Sequence, residues 1–186
     1  RFDFDEAPHV RGVIALAMDD SIRRVILVWA TRLAKTTTLE GLACWKACED
    51  PVPMAALFPD NEQLDQIDDH IYPMMEACAP IAPQLPVPHL RNKKVIRLRN
   101  CRIRLASGGK KSSVSGYPAK WVFKFERDKL TLRKSSEADP SLRMDSRTSG
   151  FRRGVKIWEE GTPAKKSESR AARDLESDDN QKALFW

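Results

Sequence analysis

Apolar residues recur along this chain at two spacings, one typical of strands and one typical of helices. Residues 22–29 form an apolar-rich run with several β-branched side chains, which predicts a strand covered on both faces of a sheet. Residues 10–18 before this run and 36–48 after it have apolar side chains at helical spacing. A short buried strand is predicted at 54–58, followed by one long helix that starts near residue 61. This order predicts an α/β fold with a mainly parallel sheet flanked by helices.

The second half of the chain predicts shorter strands. Residues 94–106 alternate in polarity on either side of Asn100, which predicts a β-hairpin with a basic face. Residues 120–128 predict an apolar strand that ends in acidic side chains. A last short strand is predicted at 155–158, and residues 159–163 are interpreted as a turn after it.

Basic side chains are concentrated in and just before the predicted hairpin, at Arg91, Arg97, Arg99, Arg102 and Arg104. One interpretation is a face that binds nucleic acid or phosphate. The other is the solvated side of an edge hairpin. No aromatic side chains are interleaved for bases to stack on, and this favours the solvated hairpin.

The length and charge of the chain limit the kinds of protein to which it can belong. Its 186 residues fit one domain of ordinary size. The formal net charge of +6, from 32 lysine and arginine residues against 26 aspartate and glutamate residues, suits an anionic partner such as nucleic acid or a nucleotide. No run approaches the roughly 20 apolar residues of a membrane span. We therefore expect no membrane partner and a cytoplasmic setting. We also expect a piece of a longer protein, because the sequence opens on Arg1 without a methionine.

The stretch 25–38 joins the first strand to the following helix and is the strongest candidate for chemistry. It is similar to the phosphate-loop pattern G-x-x-x-x-G-K-[ST], in which backbone N–H groups surround phosphate oxygens, the lysine reaches the terminal phosphates and the hydroxyl binds Mg²⁺. Lys35 and Thr36 occupy the lysine and hydroxyl positions. Trp29 and Ala34 occupy the two glycine positions, so the loop lacks the residues that let a backbone approach phosphate without steric cost.

An acidic residue follows a predicted strand downstream of Lys35 and Thr36, in the same order along the chain as in nucleoside triphosphatases. In such enzymes one carboxylate at a strand end is oriented on Mg²⁺ and the next activates water. Glu126 is placed to activate water, whereas Phe125 occupies the position of the metal-facing acid. The residues leave three possibilities open: Asp128 reaches the metal through water, Glu126 sits one place back, or the site binds nucleotide without hydrolysing it.

Six groups of residues, in a fixed order, span nearly the whole chain: 1–8, 29–37, 58–60 with 72–75, 107–129, 137–140 with 147–148, and 161–163. Together they resemble the ATPase domain of tailed-phage terminase large subunits of the lambda-like packaging group. The resemblance implies a P-loop ATPase domain over residues 1–163. It also implies that residues 164–186 are a charged segment leading to a nuclease domain that this chain does not contain.

The resemblance also implies a function. It implies an ATP-driven motor that moves double-stranded DNA into a viral procapsid, with ATP and Mg²⁺ as cofactors. The implied partners are the small terminase subunit, the portal protein and further copies of the chain, in the host cytoplasm at the procapsid portal.

By position, the resemblance assigns each candidate residue a role. The nucleotide-binding residues are Arg32, Ala34, Lys35, Thr36 and Thr37. The catalytic residues are Lys35 and Glu126, and the metal-facing residues are Thr36 and Asp128. The segment that couples hydrolysis to movement is Gly161, Thr162 and Pro163. Candidates for a cation acting across subunits are Lys120, Arg143 and Arg147.

Two alternatives remain open at the level of sequence. Phe125 and the glycine-free loop are consistent with a degenerate, non-hydrolysing domain that acts as a DNA-binding or assembly module. A third interpretation is a nucleic-acid-binding protein that uses the hairpin at 91–104 without nucleotide, and this predicts strongly salt-dependent DNA affinity.

Overall fold

The computed structural model describes residues 5–108, 116–130, 139–162 and 169–177. Within these ranges six strands form one sheet: β1 (Arg24–Val28), β2 (Met54–Phe58), β3 (Val95–Arg97), β4 (Arg102–Ser107), β5 (Trp121–Lys124) and β6 (Lys156–Gly161). Their order in the sheet is β1-β6-β5-β2-β4-β3. All neighbouring pairs are parallel except β3 and β4, which form an antiparallel edge hairpin. The predicted α/β fold with a mainly parallel sheet and a hairpin is confirmed.

Helices cover both faces of this sheet. The described helices are α1 (His9–Met18), α2 (Lys35–Glu49), α3 (Asn61–Asp65), α4 (Ile71–Glu76), α5 (Pro140–Asp145) and α6 (Arg170–Glu176). Successive side chains of a strand point to opposite faces. Trp121 and Phe123 therefore pack with α1, α2 and α4, whereas Val122 packs on the other face with Met144 of α5. No helix in the described part of the chain is long and apolar enough to cross a membrane.

The prediction of one long helix from residue 61 is wrong, because the segment is divided into shorter helices. Asp60 caps α3 by accepting a hydrogen bond from the N–H of Gln63 at 2.9 Å. A 3₁₀ turn follows at Gln66–Asp68, and α4 begins only at Ile71. Pro73 explains the restart, because a proline has no N–H to donate and is tolerated in the first turn of a helix but not in its interior. The apolar side chains of the segment still pack in the core, since Leu64, Ile67 and Ile71 are all buried.

The end of β6 is also longer than predicted. The sequence suggested a turn from residue 159, but Glu159 and Glu160 continue the strand opposite Ile26 and Leu27 of β1. Both glutamates are buried, with exposed fractions of 0% and 1%. Because neighbouring side chains alternate, the two carboxylates lie on opposite faces of the sheet.

Glu159 lies in a buried network of ion pairs on the α5 face. Its carboxylate is 3.1 Å from Nζ of Lys124 and 2.7 Å from Nε of Arg127, and it also pairs with Arg24. Lys124 is fully buried and lies 2.6 Å from Asp145 as well. Burying a charge is costly unless it is paired, so this network is what allows Glu159 to be buried near the end of β6.

We predict that Glu159→Leu lowers the free energy of unfolding by about 3–5 kcal/mol, because it leaves Lys124 and Arg127 buried with fewer counter-charges. Urea unfolding followed by circular dichroism measures this change. The matched control is Asp65→Asn, which removes an exposed ion pair with Lys93 and should cost less than about 1 kcal/mol. Equal losses in the two variants would contradict the prediction.

Candidate active site

The loop between β1 and α2, which is the candidate phosphate loop, forms a turn without glycine. Arg32 has a φ of 63° and Ala34 a φ of 57°, both in the left-handed region that favours glycine. A non-glycine residue costs about 1–2 kcal/mol in this conformation. Ala34 directly precedes α2, so the strain lies where a glycine was expected from the pattern.

Trp29, at the other expected glycine position, packs against α1. Its ring makes an edge contact with His9, with ring centroids 4.8 Å apart. Nε2 of His9 is also 3.2 Å from the carbonyl oxygen of Leu33. Helix α1 therefore supports the loop at both of its ends.

Lys35 and Thr36 form the first turn of α2. Nζ of Lys35 donates to the carbonyl oxygen of Ala30 at 2.9 Å, so the side chain lies across the loop. The hydroxyl of Thr36 donates to Oε1 of Glu160 at 3.0 Å. No acidic residue occupies the first turn of this helix, so its positive N-terminus remains available to an anion.

Phe125 and Glu126 follow β5 and differ sharply in their surroundings. Phe125 is 3% exposed, and its ring stacks on Phe58 with centroids 4.8 Å apart. Glu126 has a φ of 49°, and its side chain is 37% exposed. Its Oε2 lies 2.6 Å from Nζ of Lys129. Left-handed non-glycine residues concentrate at functional sites, which agrees with the role predicted for Glu126.

Glu160 is the site residue that the sequence did not reveal. Its Oε1 accepts the hydroxyl of Thr36 and lies 3.4 Å from the backbone N of Glu126. One carboxylate therefore joins the start of α2 to the end of β5. Burial raises the pKa of Glu160, while the hydrogen bond from Thr36 and the charge of Lys35 oppose this rise. The available signal is a pair of glutamates directly after an apolar strand, in a stretch that the sequence predicts as a turn.

A cavity of about 560 Å³ opens beside this cluster, between α2, α3 and the carboxyl ends of β2, β5 and β6. Thr36, Thr37 and the neutral side chain of Phe125 contribute to its wall. Its lining is strongly acidic, with carboxylates from Glu40, Asp60, Glu62, Glu126 and Glu160 beside the ammonium of Lys129. Burial, followed by the nearby charge of Glu160, raises the pKa of Glu40 to about 7.

Asp128 is placed differently from the metal-facing role predicted for it. Its two carboxylate oxygens accept the hydroxyl of Ser169 at 2.6 Å and the N–H of Arg170 at 2.9 Å. The side chain therefore caps the start of α6 and is not among the residues that line the cavity. Of the predicted coupling residues, Gly161 is the last residue of β6 and Thr162 follows it half-buried, while Pro163 lies outside the described residues.

The three basic residues that are candidates for acting on a neighbouring subunit do not line the cavity of their own chain. Lys120 directly precedes β5, at the opposite edge of the sheet from the loop. Arg143 lies in α5 and Arg147 in the turn after it, where Nε of Arg147 donates to the carbonyl oxygen of Arg143 at 3.2 Å. This placement does not choose among them, because a residue acting on a neighbouring subunit need not reach its own site.

Two arginines of the hairpin region are engaged within the chain. Arg91 lies over the ring of Tyr72 at 4.3 Å and pairs with Glu76, and Arg104 lies 5.3 Å from the ring of Tyr117. The remaining hairpin arginines, Arg97, Arg99 and Arg102, are exposed. This agrees with a hairpin whose basic side is largely solvated.

The whole chain, residues 1–186, matches the family model of the phage terminase large subunit gpA, ATPase domain. The chain belongs to this family. The resemblance predicted from the ordered motifs is thereby confirmed. A comparison with curated proteins gives no significant match.

Solved structures show the same fold. The large terminase of bacteriophage HK97 superposes with a TM-score of 0.72 at 15% identity, over 96% of this chain and 36% of that one. The large terminase of the thermophilic bacteriophage D6E, in complex with ADP, gives 0.62 at 14% identity, over 86% and 39% of the two chains. The ATPase domain of the Thermus phage P74-26 large terminase gives 0.56 at 17% identity, over 76% and 60%. The chain thus spans little more than a third of the HK97 and D6E large terminases.

We predict that Ala34→Gly stabilises this terminase domain, because glycine adopts the left-handed conformation without strain. The gain is about 0.5–1 kcal/mol after the larger unfolded-state entropy of glycine is subtracted, or roughly 2–4 °C in Tm. Thermal unfolding measures it. Ala43→Gly, in the middle of α2, is the control and should lower stability by about 1 kcal/mol. A loss of stability in both variants would show that the backbone at Ala34 is not strained.

A second prediction concerns pH. Since the folded-state pKa of Glu40 is raised to about 7 from its ordinary value of 4.5, its stabilising effect is full below pH 4.5 and is lost as the pH rises through about 7. The free energy of unfolding of the wild type, relative to Glu40→Gln, should fall by at most about 3 kcal/mol between pH 5 and 8. Urea unfolding at a series of pH values measures the difference, in which histidine titrations cancel. Parallel pH curves for the two proteins would refute this prediction.

Proposed function

We propose that this chain binds and hydrolyses ATP, as the motor domain of a terminase large subunit that drives viral DNA into the procapsid. The main support is that Thr36 at the start of α2 and the backbone N–H of Glu126, just after β5, both contact a single carboxylate, that of Glu160. A phosphate-binding turn and an acidic strand end are thus brought together at the carboxyl edge of a parallel sheet. Ligands of open α/β sheets bind at this edge.

Nucleotide binding in this proposal uses the loop and the start of α2. The backbone N–H groups of the first turn, with Lys35, Thr36 and Thr37, would hold the phosphates, and Arg32 and Ala34 would shape the loop around them. Lys35 would exchange the carbonyl oxygen of Ala30 for phosphate oxygens. The D6E large terminase of similar fold was solved with ADP, which supports nucleotide as the ligand.

The residues of the site fit Mg²⁺. No group of three or more His, Cys, Asp or Glu side chains within the described ranges could hold a metal alone. Mg²⁺ commonly takes one or two protein oxygens and completes its shell with phosphates and water. The hydroxyl of Thr36 is such an oxygen, and the acidic cavity requires a cation before a polyphosphate can enter. When bound, Mg²⁺ would neutralise charge on the phosphates.

Glu126 is the proposed general base. Its half-exposed carboxylate borders the cavity and pairs with Lys129. To act on a water, this carboxylate must turn from Lys129 toward the cavity. Gly161, Thr162 and Pro163, at and beyond the end of β6, would then transmit the change in the site to movement of DNA.

The wider role belongs to a longer protein. We propose that residues 1–163 form the motor domain and that residues 164–186 lead to a nuclease domain. The partners are double-stranded DNA, the small terminase subunit, the portal protein and other copies of the chain, in the host cytoplasm. One of these copies would supply the cation that acts across subunits, for which Lys120, Arg143 and Arg147 stay candidates.

A degenerate, non-hydrolysing domain is the second candidate function. It is favoured by the stacking of Phe125 on Phe58, which excludes an acid from that position, and by the strained turn at Arg32 and Ala34. Such a domain would bind nucleotide or DNA without releasing phosphate. Binding and turnover must therefore be measured separately.

We predict that Lys35→Ala abolishes phosphate release and weakens Mg-ATP binding at least tenfold, or about 1.4 kcal/mol, because an ammonium at the phosphates is lost. Calorimetry measures binding, and a steady-state phosphate assay measures turnover. The control is Lys94→Ala, an exposed lysine next to β3. Unchanged binding and turnover in Lys35→Ala would reject the proposal, and wild-type binding without release would favour the degenerate domain.

A further inference from the structure

The strand end that usually carries the metal-facing acid is closed to a cation here. Phe125 is buried, its ring stacks on Phe58, and its N–H donates to the carbonyl oxygen of Leu57 at 2.9 Å. The side chain offers no oxygen and forms part of the apolar core. A carboxylate at the metal would have to come from another element.

In the sheet, strand β6 lies between β1, which precedes the loop, and β5, which precedes Phe125 and Glu126. Glu160 lies at its carboxyl end, on the α2 face, and is 1% exposed. Because the hydroxyl of Thr36 donates its proton to Glu160 at 3.0 Å and Thr36 lines the cavity, the lone pairs of that hydroxyl oxygen stay available to a cation. This is the orientation that a hydroxyl needs in order to bind a cation.

A second buried carboxylate lies beside Glu160 without a counter-charge. Glu40 is one helical turn after Thr36, is 6% exposed and lines the cavity. Within the described residues it has no hydrogen bond or ion pair, and its main charged neighbour is Glu160. Two like charges that share a buried site repel each other, and a divalent cation would relieve this repulsion.

We infer that Glu160 supplies the metal-side carboxylate that β5 lacks at Phe125, so that the acid facing Mg²⁺ has moved to the adjacent strand. Glu160 would hold Thr36 in position and contact the cation or its water, while Glu40 adds negative charge behind them. The inference rests on the proposed nucleotide site. It differs from that proposal by naming a residue outside both sequence motifs.

The test measures the Mg²⁺ dependence of ADP binding, not turnover. ADP affinity of the wild type, Glu160→Gln and Glu160→Asp is determined by calorimetry with Mg²⁺ and with EDTA, and thermal unfolding reports folding. In Glu160→Gln we expect the tightening of ADP binding by Mg²⁺ to fall about 10-fold to 100-fold. Metal-free ADP affinity should be kept or improved, because a negative charge near the phosphates is removed. Glu49→Gln, an exposed glutamate at the other end of α2, should match the wild type.

The outcomes separate the two proposals. Loss of the Mg²⁺ effect in a folded Glu160→Gln variant, with EDTA affinity kept, supports the inference. A full Mg²⁺ effect in that variant overturns it while leaving the nucleotide site intact. If Glu160→Gln does not fold, Glu160→Asp decides, since its shorter carboxylate should weaken the Mg²⁺ effect and an unchanged effect overturns the inference. If the wild type binds no ADP under either condition, the proposed function fails first.

Discussion

Two adjacent buried carboxylates at the end of β6 are the constraint on which the site depends. An ionised carboxylate loses several kcal/mol of hydration on burial, so it persists only with close partners. Glu159 finds them in Lys124 and Arg127 on one face of the sheet. Glu160 finds a hydrogen bond from Thr36 on the other. Because β6 pairs with both β1 and β5, the side chains at the carboxyl ends of these three strands lie close together.

The same network positions the ends of β5 and β6 relative to each other. Arg127 directly follows Glu126, and its ion pair with Glu159 links the backbone beside Glu126 to the backbone beside Glu160. Arg127 also pairs with Asp174 of α6. Helix α6 thus contacts the residue next to the proposed catalytic base.

The loop between β1 and α2 has no glycine at the two positions where the phosphate-loop pattern has one. Without glycine, the turn is formed by Arg32 and Ala34 in left-handed conformations. Contacts from His9 to Trp29 and to the carbonyl oxygen of Leu33 help to hold this strained backbone. Strain of this size is tolerated because packing around the loop specifies its conformation. A turn with two left-handed residues therefore forms here without glycine.

The sequence by itself determined the alternation of strands and helices, the hairpin, and the order of Lys35, Thr36 and Glu126, because these features depend on local periodicity and spacing. Only the tertiary structure decided that β6 lies between β1 and β5 and that Glu160 faces Thr36. Charged residues after an apolar run resemble a solvated turn when read locally. The burial of Glu160 depends on Thr36, which is 124 residues away along the chain. It also depends on the order of the strands in the sheet, which periodicity does not encode.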